Sequence, residues 1–214
     1  MTEAAVRGGS AVPGSVVSGP VVPGDALRAD ALQALRGWPA PTPEQERLRV
    51  RYVRHLEAHD PATHPGAGVL RESVPDHLTA SAVVLSHDGA HVLLTLHAKA
   101  QRWFQLGGHL EPGDRTLAGA AQREAREESG LALTVDPVAV HLDEHVVPFC
   151  RPGTGDPDRP VHHLDVRFVA VAAPGAEAVV SDESLDVRWW PADALPDPDL
   201  TELVALARTR VGGA

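Results

Sequence analysis

The chain has 214 residues, 43% hydrophobic and 22% charged, an ordinary balance for one globular domain with extensions. Its formal net charge of −10 argues against a nucleic-acid partner, while a small phosphorylated ligand stays open because a bound cation inverts the local field. A single cysteine, Cys150, excludes an internal disulfide, and the chain has neither a membrane-length apolar run nor a signal-like N-terminus, so a cytoplasmic, membrane-free protein is expected.

Residues 1–24 are dominated by Gly, Pro, Val, Ser and Ala and are expected to be a disordered tail. Residues 25–76 read as a helical N-terminal extension. "DALRADALQALRGW" spaces Leu27, Leu32 and Leu35 helically, with Asp25 as N-cap and Gly37 as stop. "TPEQERLRVRYVRHLEAH" has Thr42 as N-cap, Pro43 in the first turn, and Leu48, Tyr52 and Leu56 at four-residue steps. The main domain is expected over 77–214. Apolar runs at 83–85 and 92–96 flank Asp88-Gly89, a hairpin signal. Further strands are expected at 132–144, 161–172 and 185–190, a loop over "PFCRPGTGDPDRP", and a closing helix from about Asp199 or Thr201. Strands and helices mixed in this order indicate an α+β or mixed α/β fold.

The stretch "GGHLEPGDRTLAGAAQREAREESGL" carries the chemistry. Its second half predicts a helix from about Thr116 to Ser129, capped by Asp114 or Thr116 and ended by Gly130. Glu124, Glu127 and Glu128 then stand at i, i+3 and i+4, on one face, and Arg123 lies four residues before Glu127. Three like charges repel there, and the C-terminal end of the helix dipole disfavours them further. A hard divalent cation relieves both penalties, since Mg²⁺ takes carboxylate oxygens.

These residues resemble the Nudix box, G-x5-E-x7-R-E-U-x-E-E-x-G-U, where U is aliphatic. Gly108 matches the first glycine, and Arg123, Glu124, Ala125, Glu127, Glu128, Gly130 and Leu131 match the second half without a gap. Asp114 stands where the first Glu is expected, and eight residues rather than seven separate it from Arg123. The resemblance implies an α/β/α sandwich with a mixed β-sheet. It also implies Mg²⁺ or Mn²⁺ held by Glu124, Glu127, Glu128 and the Gly108 carbonyl, with Arg123 orienting the glutamates. Such enzymes hydrolyse a phosphoanhydride in a nucleoside diphosphate linked to another moiety, so the expected partner is a small nucleotide-type substrate. The alternative is a Nudix domain that binds such a ligand without turnover, as a sensor or interaction module. The complete Arg-Glu-x-x-Glu-Glu set favours the enzyme. The N-terminal helices suit a dimer arm or a partner-binding piece, which leaves a homodimer open.

Other residues are weighed by position. Glu183 lies where many Nudix enzymes carry a further carboxylate, as metal ligand or general base; the plain alternative is a solvated loop acid. Asp182, Asp143 and Glu144 are weaker candidates. Period-2 alternation puts His163, Asp165 and Arg167 on one face of a strand that either lines the substrate cleft or is an exposed polar face. Trp103, just before the box, is a candidate for stacking on a base and Arg102 for reaching phosphate, with core packing and free surface charge as the alternatives. Cys150 with His145, His162 and His163 shows no standard zinc spacing, so zinc is not expected.

Overall fold

The structure is a computed structural model, and it describes residues 24–148, 150, 160–180 and 184–212. The expected tail at 1–24, except Gly24, lies outside the described residues, as do Asp182, Glu183 and most of the "PFCRPGTGDPDRP" loop.

Two helices come first, α1 (Asp25–Gly37) and α2 (Pro43–Ala58). Asp25 is not the N-cap of α1: that position is Gly24, at φ 86, and Asp25 is the first helical residue. Glycine takes this left-handed turn without the Cβ clash an aspartate meets. Thr42 caps α2 as expected, its hydroxyl accepting from the Gln45 N–H at 3.2 Å. A short 3-10 turn at Pro65–Gly68 leads into the sheet.

The strands are β1 (His77–Leu85), β2 (His91–His97), β3 (Trp103–Phe104), β4 (Leu106–His109), β5 (His141–Val146), β6 (His162–Val171) and β7 (Ser184–Pro191). They form one mixed sheet in the order β3-β2-β1-β6-β5, with β4 on β1 and β7 on β2. β1 and β6 run parallel and the other pairs antiparallel. β3 pairs with the end of β2 and β4 with the start of β1, so the chain passes from one strand to the other at Gln105. The strand expected over 132–144 is confined to β5, preceded by an isolated bridge from Val135 to Ala170. Pro137 lacks the N–H that a continuous ladder needs.

Helix α3 (Leu117–Ser129) covers one face of the sheet and α4 (Thr201–Gly212) the other. Leu78, Ala80, Ala82 and Val84 of β1 share a buried cluster with Leu117, Ala121 and Ala125 of α3. Val83 and Leu85 instead join Leu203, Val204 and Ala207 of α4. This alternation makes the fold the α/β/α sandwich that the resemblance implied. Leu27, Leu35, Tyr52 and Leu56 of the N-terminal helices belong to the α3-side cluster. Gln45 of α2 also closes the edge of β5: its side-chain amide donates to the Leu142 carbonyl (3.0 Å) and accepts from the Leu142 N–H (2.7 Å). Among the described residues, no helix is long and apolar enough to cross a membrane.

Candidate active site

Helix α3 begins and ends as its sequence dictates. The Thr116 hydroxyl accepts from Gly119 N–H at 3.0 Å, and Gly130, at φ 70, terminates the last turn. A third anchor comes from α1, where Asp30 accepts from the Leu117 N–H at 2.9 Å. Burial raises the Asp30 pKa, and that hydrogen bond opposes the rise.

On the exposed side of α3, Arg123 is the hub. Its Nε and Nη2 donate to the two carboxylate oxygens of Asp114, at 3.2 and 2.9 Å. Nη2 also donates to the His109 carbonyl at 3.1 Å, and Nη1 donates to Glu124 (2.9 Å) and Glu127 (3.1 Å). Hydrogen bonding to Asp114 is the main cause of a strongly raised Arg123 pKa, so the guanidinium is permanently charged. The aspartate that departs from the box pattern therefore makes a working contact. Asp114 forms a bidentate pair with Arg123, while its carboxylate also accepts from the Glu111 N–H (2.8 Å) in the turn before the helix.

The glycines bring β4 against the helix. A Cβ at Gly108 would sit 2.8 Å from a Glu124 carboxylate oxygen, so any side chain there would push that carboxylate aside. At Gly107 a Cβ would lie 2.3 Å from Cβ of Ser81, while its N–H donates to Glu128 at 3.0 Å. Glu124 and Glu128 thus flank the Gly107–Gly108 backbone, and Glu127 is tied to the same face of α3 through Arg123. All are hard oxygen donors, the chemistry that Mg²⁺ and Mn²⁺ require. Two further groups of potential ligands each lie within 4.8 Å of one another among the described residues: His77, His109, Cys150 and His163, and Asp76, Glu144 and His162. The second of these is held by ion pairs: Arg51 reaches Asp76 (2.6 Å) and Glu144 (3.4 Å), and His162 lies 3.0 Å from Asp76.

The residues expected on the substrate side are all engaged. Asp165 and Arg167 are 3% and 6% exposed on the α4 side of the sheet, where alternation placed them. Asp165 accepts from Thr79, Ser81, Gln105 and Arg167 at 2.8 to 3.1 Å. Arg167 pairs in addition with Asp143 at 2.8 Å. Burial alone pushes the Asp143 pKa up, but the hydrogen bond to His145 and the Arg167 charge outweigh it and bring it to about 2. Trp103 packs edge-on against Trp190, with ring centroids 5.3 Å apart, and Arg102 pairs with Asp197 (2.5 Å) and Asp199 (2.8 Å). Position in sequence missed the His77, His109, Cys150 and His163 cluster. Burial pushes its imidazoles down, to about 4 for His77 and His109 and about 2 for His163, so all three are neutral at pH 7.

A family model described as the NUDIX domain matches residues 75–207, more than half of the chain. The chain belongs to the Nudix family of hydrolases. No protein of curated function matches it significantly. Among solved structures, similarity extends to a NUDIX family hydrolase from Clostridium perfringens, at 23% identity and TM-score 0.47, covering 63% of this chain and 97% of that one. A C. elegans Ap4A hydrolase binary complex is 17% identical at TM-score 0.49, covering 64% and 98%. The NUDIX domain of Shewanella oneidensis NrtR complexed with ADP ribose is 20% identical at TM-score 0.47, covering 74% and 97%.

Proposed function

We propose that this Nudix chain hydrolyses a phosphoanhydride bond in a nucleoside diphosphate linked to another moiety, with Mg²⁺ or Mn²⁺ as cofactor. The observation that carries the reading is the Arg123 hub, which holds Glu127 and, beside the Gly108 backbone, Glu124 on one face of α3. Glu124, Glu127, Glu128 and the Gly108 carbonyl would hold the cation, which supplies the positive charge needed to bring pyrophosphate against an acidic face. Because Mg²⁺ keeps several waters, the carboxylates need not all touch one another.

The chain's own residues then have separate tasks. Arg123 is a positioning residue, fixing two glutamates from one guanidinium while Asp114 fixes Arg123. Glu183, directly before β7, is proposed as the general base that takes a proton from the attacking water. Arg102 has a half-exposed guanidinium and is proposed to exchange Asp199 for substrate phosphate, with Trp103 beside it as a stacking surface. Asp165 and Arg167 are proposed to act from beneath the substrate, by fixing Ser81 and Gln105 where β3 crosses to β4.

The test is phosphate release, in Mg²⁺ or Mn²⁺, from a panel of nucleotide sugars, ADP-ribose, dinucleoside polyphosphates, oxidised nucleoside triphosphates and coenzyme A. Wild type is expected to turn over at least one class, and Glu127→Gln to lose most of that rate. No turnover by wild type, or full rate in the variant, overturns the reading. Tight ligand binding without turnover would support a sensor instead.

A further inference from the structure

We propose that His77, His109, Cys150 and His163 form a zinc site separate from the carboxylate face of α3. The four ligand atoms lie within 4.8 Å of one another although they come from four segments: the starts of β1 and β6, the end of β4, and the turn after β5. Strand register alone brings three of them together, because His77 stands opposite His163 and His109 pairs two residues along β1, at Thr79.

The two spacings from the thiol match a first coordination shell. Cys150 Sγ lies 3.4 Å from His109 Nε2 and 3.7 Å from His77 Nε2. A tetrahedral zinc with Zn–N near 2.0–2.1 Å and Zn–S near 2.3 Å sets nitrogen and sulfur roughly 3.6 Å apart. The three imidazoles surround the thiol at mutual centroid distances of 4.9 to 5.2 Å. Cys150 and His77 are buried, at 3% and 0% exposure. His163 Nε2 is buried with no hydrogen-bond partner among the described residues, a costly arrangement that a ligand would relieve. His77 presents Nε2, not Nδ1, to the Cys150 thiol.

Donor chemistry sorts the two cations. One thiolate and three imidazoles suit zinc and offer nothing to Mg²⁺, whereas the all-oxygen set on α3 does the opposite. Four protein ligands close the coordination sphere, so this zinc is structural. It ties the turn after β5 to His109, the residue next to Gly108, and so steadies the backbone along which the glutamates lie.

Zinc content of the full chain, purified without added metal, is expected at one atom per chain. Replacing it with Co²⁺ is expected to give tetrahedral visible bands and a thiolate-to-cobalt charge-transfer band. Cys150 is the chain's only cysteine, so that band in wild type identifies its ligand without any variant. Cys150→Ser should abolish the band, and His163→Ala should weaken zinc binding at least about 100-fold, while Glu127→Gln keeps zinc at wild-type affinity. The proposal is overturned if wild type binds zinc no more tightly than folded His163→Ala. It is equally overturned if the cobalt protein lacks the thiolate band, or if Glu127→Gln loses zinc as His163→Ala does.

Discussion

Replacing Gly108 by alanine separates the chemistry of the site from its stability. The added Cβ meets both carboxylate oxygens and Cδ of Glu124 at 2.8 to 2.9 Å, roughly 0.5 Å inside ordinary contact. All three atoms belong to the far end of a flexible side chain, which can rotate away, so folding is expected to lose less than about 1 kcal/mol. The displaced carboxylate is one of the proposed cation ligands, and misplacement by about 1 Å costs on the order of 100-fold in rate. The neighbouring Gly107→Ala reverses the balance. Its Cβ meets Cβ and Cα of Ser81 at 2.3 and 2.5 Å and the Ala80 carbonyl at 2.7 Å, atoms of a central strand that cannot step aside. Loss of about 3 kcal/mol or more is expected there, at the upper end of overpacking effects. Thermal melts with divalent-dependent phosphate release on both variants check this. A Gly108→Ala protein with wild-type rate refutes the assignment of Glu124 beside that backbone.

Gln45→Ala removes the amide that pairs with both backbone groups of Leu142, and leaving two buried groups unsatisfied is expected to cost about 2–4 kcal/mol in a denaturant melt. Asp30→Ala removes the aspartate that receives the Leu117 N–H, with an expected loss near 1 kcal/mol by the same measurement. Burial holds the His55 pKa at about 4 against 6.5 for the free side chain. The unfolded chain therefore binds more protons between those values, and stability falls as pH drops from about 6.5 to about 4. The contribution approaches about 3 kcal/mol at the acid end, and His55→Gln should flatten that part of the pH–stability curve.

Local signals made α3 readable: a threonine cap, a terminal glycine and three glutamates at helical spacing all point to one element. The sandwich followed from alternation, as in "HHLDVRF", where Leu164 and Val166 face α3 and Asp165 and Arg167 face the other way. Features that depend on distant partners were not readable. Nothing near Gln45 signals that its amide closes a strand edge about 100 residues away. Asp114 looked like a defect in the box, and only the turn it closes shows that it reaches both Nε and Nη2 of Arg123. The His and Cys cluster has no local spacing at all, since its ligands sit at 77, 109, 150 and 163 and meet through sheet register.

The central claim is that the glutamates of α3 hold a divalent cation beside Gly108. Mn²⁺ affinity, followed by electron paramagnetic resonance on the zinc-loaded chain, tests it without any assumption about substrate. Glu124→Gln and Glu127→Gln are each expected to weaken binding at least about tenfold. Wild-type Mn²⁺ affinity in both variants would contradict the account.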